Sequence, residues 1–179
     1  MQSGIPVYTA FETQTALEAI TGERTIALSP NKSCQISSFT VVPFNVPHDT
    51  EIECYGYLIK HEEMGKLLFL TDLEYCKYDF SNQMVNHVLC EVNYDMQFVN
   101  RDEPNYEHRL RGHMSLDTAL KFISTNDNPA LRNVVLIHLS DKSGDPALFR
   151  QRTEETIKYG ANVYIAGKGL EVDMNLCPF

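Results

Sequence analysis

The stretch NVVLIHLSDKSGD, residues 133–145, decides how this chain is read. Val134-Val135-Leu136-Ile137 is a continuous apolar run of the kind buried on both sides inside a sheet. Ser140 to Asp145 is turn chemistry, and His138 stands at the seam. Asp145-Pro146 then supplies an N-cap and a first-turn proline, which predicts a helix reaching Gly160. A strand that ends on an imidazole and feeds a helix is the grammar of a layered α/β protein, where the loops beyond one sheet edge carry the chemistry.

Working outward, the same pattern recurs. Ile5-Pro-Val-Tyr8 reads as a short strand, and Glu12 to Ile20 as a helix stopped at Gly22. Thr25–Leu28 and Ile36–Val42 read as strands around the turn Ser29-Pro-Asn-Lys32, the second by its alternation. Tyr55–Lys60 and Lys66–Leu70 flank a polar turn and make a hairpin; Val88–Val92 is a further short strand. Ser115 caps a predicted helix from Leu116 to about Thr125, with Leu116, Ala119, Leu120 and Ile123 on its buried face. Val163–Ala166 and Leu170–Val172 read as a last strand pair around Gly167-Lys-Gly169. Hairpins first and strand–helix alternation later give an α/β (α+β) expectation, helices packed on sheets, within one domain covering residues 1–179.

Composition narrows the class. The 179 residues are 43% hydrophobic and 22% charged, an ordinary globular mixture. No run reaches the roughly 18 apolar residues of a membrane helix, and the start has no basic flank leading into an apolar core, so a cytoplasmic protein without a membrane partner is expected. Fifteen basic against twenty-four acidic residues give a formal charge of -9, which repels phosphate backbones unless a local basic patch or a bound cation offsets it. The five cysteines are odd in number and never form a C-x-x-C pair, which argues against a disulfide framework or a structural zinc site.

The polar residues of interest sit where strands stop: His48 after one, Asp72 after another, His138 after a third, and His113 ahead of the Ser115 helix. Two histidines and a carboxylate converging at one edge would suit a borderline divalent cation. Each alone has a bland alternative: a hydrogen-bonded structural histidine, an Asp capping the next turn, or an imidazole donating to a loop carbonyl. His61, His87 and His108 carry no assignment.

Together, the ordered set His48-Asp49, Thr71-Asp72-Leu73, Glu91-Val-Asn93-Tyr-Asp95, Arg111-Gly-His113-Met-Ser115 and Ile137-His138-Leu-Ser140 resembles the metallo-β-lactamase-fold hydrolases. The resemblance runs from Ile5 to Leu170 and is nearest to the branch of the bacterial WalJ/YycJ proteins and phage-encoded homologues. It implies an αββα sandwich, two divalent ions (zinc or manganese) and a phosphodiester substrate, either nucleic acid or a small nucleotide. His48, Asp72 and His138 match metal ligands, Asp72 bridging both ions. His113, with Asp72, would be catalytic, and Arg109, Arg111, Glu91 and Asn93 would shape the substrate pocket. The chain lacks the family's His-x-His-x-Asp-His run, which would precede Ile5, so an N-terminally truncated sandwich is expected. A fragment, a degenerate homologue and a half completed by another chain all remain open. Exposed sheet edges would favour pairing with a second copy. The competing function is a catalytically inactive binding or scaffold protein on the remnant of this fold.

Overall fold

The computed structural model describes residues 4–48 and 53–177; Asp49 lies outside them. Among these residues a seven-stranded sheet has the order β3-β4-β5-β6-β7-β8-β9, and a separate parallel pair joins β1 (Val7–Thr9) to β2 (Thr25–Ala27). The strands β3 (Cys34–Ile36), β4 (Phe39–Val46), β5 (Cys54–His61) and β6 (Gly65–Leu70) are each antiparallel to the next. From β6 onward the sheet turns parallel through β7 (His87–Glu91), β8 (Asn133–Ile137) and β9 (Asn162–Ile165). The parallel half needs crossovers: α3 (Leu116–Asn126) lies in the one from β7 to β8 and α4 (Pro146–Thr156) in the one from β8 to β9, while the β6–β7 connection carries the short 3-10 turn Ser81–Gln83. No described helix is long and apolar enough to cross a membrane.

The core follows from side-chain period. Leu68 and Leu70, Val88 and Cys90, and Val134 and Leu136 alternate out of their strands and are almost fully buried against Leu116, Ala119, Ile123 and Phe149 of the helices. Helix α3 forms where its cap and apolar spacing place it: the Ser115 side chain accepts from Thr118 N, and four core residues fall on one face. A second, smaller cluster, Ala10, Leu28 and Tyr55, ties the β1–α1–β2 segment to the other face of the sheet near β5, with α1 spanning Phe11–Thr21.

Four expectations are corrected. Ile36–Val42 is not one strand, because Ser37 takes a left-handed φ of 53° and the chain reverses between β3 and β4. The helix after Pro146 stops at Thr156 rather than Gly160: Ile157 is extended, and Lys158 N–H donates to the Asp127 carboxylate at 2.6 Å, drawing the chain away. Only Asn162–Ile165 of the last strand pair is a strand, and Gly167 O accepts Leu170 N–H in a turn. The helix α2 (Tyr106–Gly112) went unanticipated, since its Asn-Tyr-Glu-His-Arg start has little apolar periodicity.

Candidate metal centre

Strands β6, β7 and β8 are parallel, so their carboxyl ends meet at one edge. Glu91 is the last residue of β7, and Asp72 and His138 lie just beyond β6 and β8. Strand β4 runs the same way, because it is antiparallel to β5 as β5 is to β6, so His48 leaves at this edge too. Four separated sequence positions thus share one rim because of strand direction alone.

Asp72, Glu91, His113 and His138 each offer a donor atom within 4.8 Å of the other three. His113 Nδ1 lies 2.7 Å from Glu91 Oε1, while His138 Nδ1 lies 3.4 Å from both Asp72 Oδ1 and Glu91 Oε2. Glu91 has no solvent exposure, whereas His138 is about 40% exposed along its side chain. The site is therefore a buried carboxylate floor under an open imidazole. The hydrogen bond to Glu91 raises the His113 pKa above its ordinary value, against the opposing effect of burial.

The backbone under this site is strained. Asp72 and His138 both take left-handed φ, 52° and 57°, a region that costs a non-glycine residue about 1 kcal/mol or more. Their surroundings hold them there. Cys54 Sγ donates to Asp72 O at 3.3 Å, and the buried Asn93 amide donates to His138 O at 2.8 Å. His113 is fixed by the stitching of its loop to the end of β7, where Asn93 N–H donates to Met114 O and Leu116 N–H to Tyr94 O.

The remaining expected residues fall in different places. His48 is not in the group of four; its Nδ1 lies 2.7 Å from Gly112 O, and its ring is 5.9 Å from that of His113. A carbonyl only accepts, so Nδ1 carries a proton, and in the neutral ring the free lone pair is then on Nε2, the tautomer a metal-binding imidazole needs. Asn93 positions His138 from behind. Arg109, expected to clamp a phosphate, is instead buried, with its guanidinium bound to Ser143 Oγ at 2.7 Å and Glu103 Oε2 at 2.8 Å. Its physical role is to tie α2 to the loop after β8. Arg111 stays exposed in a loose pair with Glu107 at 3.6 Å.

Two features escaped the sequence. Glu91 was expected to shape the pocket and is a member of the donor group; its position directly after an apolar strand was the available signal. His108 carried no assignment, yet its ring lies 6.0 Å from His113 and 6.2 Å from His48. Nothing in its polar neighbourhood marked it.

No protein-family model matches the sequence, and no curated protein does. Solved structures do match. The metallo-β-lactamase fold protein YhfI from Bacillus subtilis aligns with a TM-score of 0.68 at 18% identity, covering 92% of this chain and 63% of that one. Igni18, a metallo hydrolase from the archaeon Ignicoccus hospitalis, gives 0.69 at 15% identity, over 94% and 68%. The short form of human tRNase Z gives 0.59 at 16%, over 96% and 67%.

The chain has the metallo-β-lactamase fold. At these identities the likeness concerns the fold alone, and the chain spans 63% of the length of YhfI.

Proposed function

We propose that the protein is a metal-dependent hydrolase of phosphodiesters. The observation that carries this reading is the convergence of Asp72, Glu91, His113 and His138 at the carboxyl ends of three adjacent parallel strands. Asp72 and His138 bring a carboxylate and an imidazole that suit a borderline divalent ion such as zinc or manganese, with the Glu91–His113 pair beside them. The geometry fits such an ion on a second count: Glu91 is a carboxylate without solvent, faced by imidazoles and one long contact from Leu73 N–H at 3.4 Å, a setting that calls for positive charge.

Asp72 and His138 would hold the ion, with His48 presenting Nε2 from beyond the end of β4. When bound, the ion supplies a Lewis acid and a water acidic enough to attack near neutral pH. The chain's own residues do the rest. Glu91 fixes the His113 ring through Nδ1 and favours its protonated form, so Nε2–H can donate to a phosphoryl oxygen or to the departing alkoxide. Asn93 keeps His138 in its strained backbone position. Arg111, exposed in its loose pair with Glu107, can turn toward a phosphate.

The phosphodiester substrate rests on His113 as a donor to developing negative charge, and on neighbours that include human tRNase Z and yeast PDE1, the latter with a TM-score of 0.64. The same fold also carries an isothiocyanate hydrolase, so fold alone does not choose the substrate.

The test is metal content after equilibration with zinc or manganese, followed by an assay on bis-p-nitrophenyl phosphate. Stoichiometric metal with turnover that disappears in His138→Ala is expected. Metal without turnover would leave the second reading, a binding or scaffold protein. That reading draws on His48 standing outside the group of four. Neither metal nor turnover would remove the hydrolase.

A further inference from the structure

Beside the donor group lies a cavity of about 250 Å³, with Asp72 itself on its wall. It opens on the face of the sheet opposite α3. Tyr55 and Tyr57 alternate onto that face of β5, and Phe69 pairs directly with Tyr57 across to β6, so Phe69 and Thr71 share it. The roof is the start of α1, and Glu53 closes one end. Leu68 and Leu70 point the other way, into the helix-covered core, which leaves this patch aromatic and hydroxyl-bearing rather than aliphatic.

Its polar groups have a definite sense. Glu53 and Asp72 only accept hydrogen bonds. Glu53 Oε2 accepts from the Tyr55 hydroxyl at 2.9 Å, and burial, then Glu53, hold that phenol protonated with a pKa pushed up to about 12. Among the described residues, no lysine or arginine lines the cavity. A flat ring that stacks and donates hydrogen bonds is the chemistry these walls recognise.

We infer that this cavity holds an amino-bearing nucleobase, adenine or cytosine in type, of a nucleotide whose phosphate lies at the Asp72–His138 edge. The phosphate half of this statement rests on the proposed hydrolase; the base half does not. It makes the cavity the specificity pocket: the ring lies along Tyr57 and Phe69, and its exocyclic amine donates to Glu53.

Titration calorimetry with adenosine and uridine tests the base half without turnover. Adenosine is expected to bind, uridine markedly less well. Tyr57→Leu, which keeps bulk but removes the ring, should weaken adenosine about 5- to 150-fold, the range of one base–aromatic stack. Glu53→Gln should erase the preference for adenosine over uridine. The esters methyl p-nitrophenyl phosphate and adenosine 5′-p-nitrophenyl phosphate test the linkage: Tyr57→Leu should lower kcat/KM for the second and leave the first unchanged. Turnover of the methyl ester with neither adenosine nor cytidine bound by the folded protein would overturn the inference and spare the hydrolase. Adenosine binding that Tyr57→Leu and Glu53→Gln both leave intact would overturn it as well. Adenosine binding that both variants weaken, with no turnover of either ester, would support the base half and remove the hydrolase.

Discussion

Strand β7 carries a buried polar side chain at each end, and the two ends are built on opposite plans. At the amino end, His87 has no exposure and both ring nitrogens have partners: Nε2 lies 3.1 Å from Met64 O, and Nδ1 lies 3.0 Å from Asn133 Nδ2. The amide donates and the carbonyl accepts, which fixes the tautomer, and burial favours the neutral ring. Asn133 also donates to Asp173 O, binding the C-terminal segment down. At the carboxyl end, Glu91 is equally buried, but its imidazole partners are partly open and two of its neighbours are strained. A closed, relaxed network is what stability requires. An open one that keeps strain is what a reactive site requires.

The sharpest way to break this contrast is a pair of substitutions with opposite signatures. Asp72→Ala or His138→Ala is expected to abolish hydrolysis of bis-p-nitrophenyl phosphate and metal retention, measured by turnover and metal analysis. His138→Gly should do the same while raising the unfolding midpoint, because glycine occupies the left-handed region without the cost of about 1 kcal/mol that histidine bears. A His138→Gly protein less stable than the parent would mean that no strain is stored at this end.

The amino end should answer the other way. His87→Leu leaves the Met64 carbonyl and the Asn133 amide without their buried partner, at a cost of about 2–4 kcal/mol. Chemical denaturation should register that loss, with turnover per folded molecule unchanged. Arg109→Ala belongs with the amino-end behaviour although it sits near the carboxyl edge. It releases Ser143 and Glu103 and should cost about 1–3 kcal/mol. If Arg109→Ala weakened substrate binding with stability intact, the phosphate clamp would be restored and the present assignment of its guanidinium would fail.

How far the sequence showed this contrast depends on what each residue's neighbours reveal locally. The strand-ending positions of Asp72 and His138 were legible, because an apolar run that stops on a polar residue needs no tertiary information. Their meeting was not, since it depends on β6, β7 and β8 being parallel, and strand direction is set by crossovers rather than by any one strand's composition. The partners of Arg109 were hidden for a related reason. Proximity to His113 in sequence does not say on which face of α2 a side chain points, and α2 itself lacked a readable period. His87 looked like an ordinary polar residue at a strand start, and only Asn133, 46 positions away, shows why it is buried.

The smallest effect, and the one that tests both ends together, is the pH dependence of stability in chelator-treated protein. Burial lowers the His87 pKa, so the unfolded chain takes up its proton first. Its contribution is present above about 6.5, the ordinary imidazole value, and is lost as the pH falls below it. His113 runs the other way: its pKa is raised by Glu91, so its contribution is complete below that ordinary value and is lost as the pH rises through the folded one. Denaturation midpoints followed between about pH 5 and 8, the range in which imidazoles titrate, should therefore flatten on the acid side in His87→Gln and on the alkaline side in His113→Gln. Both variants flattening the same limb would show that the two ends of β7 do not hold their histidines in opposite charge states.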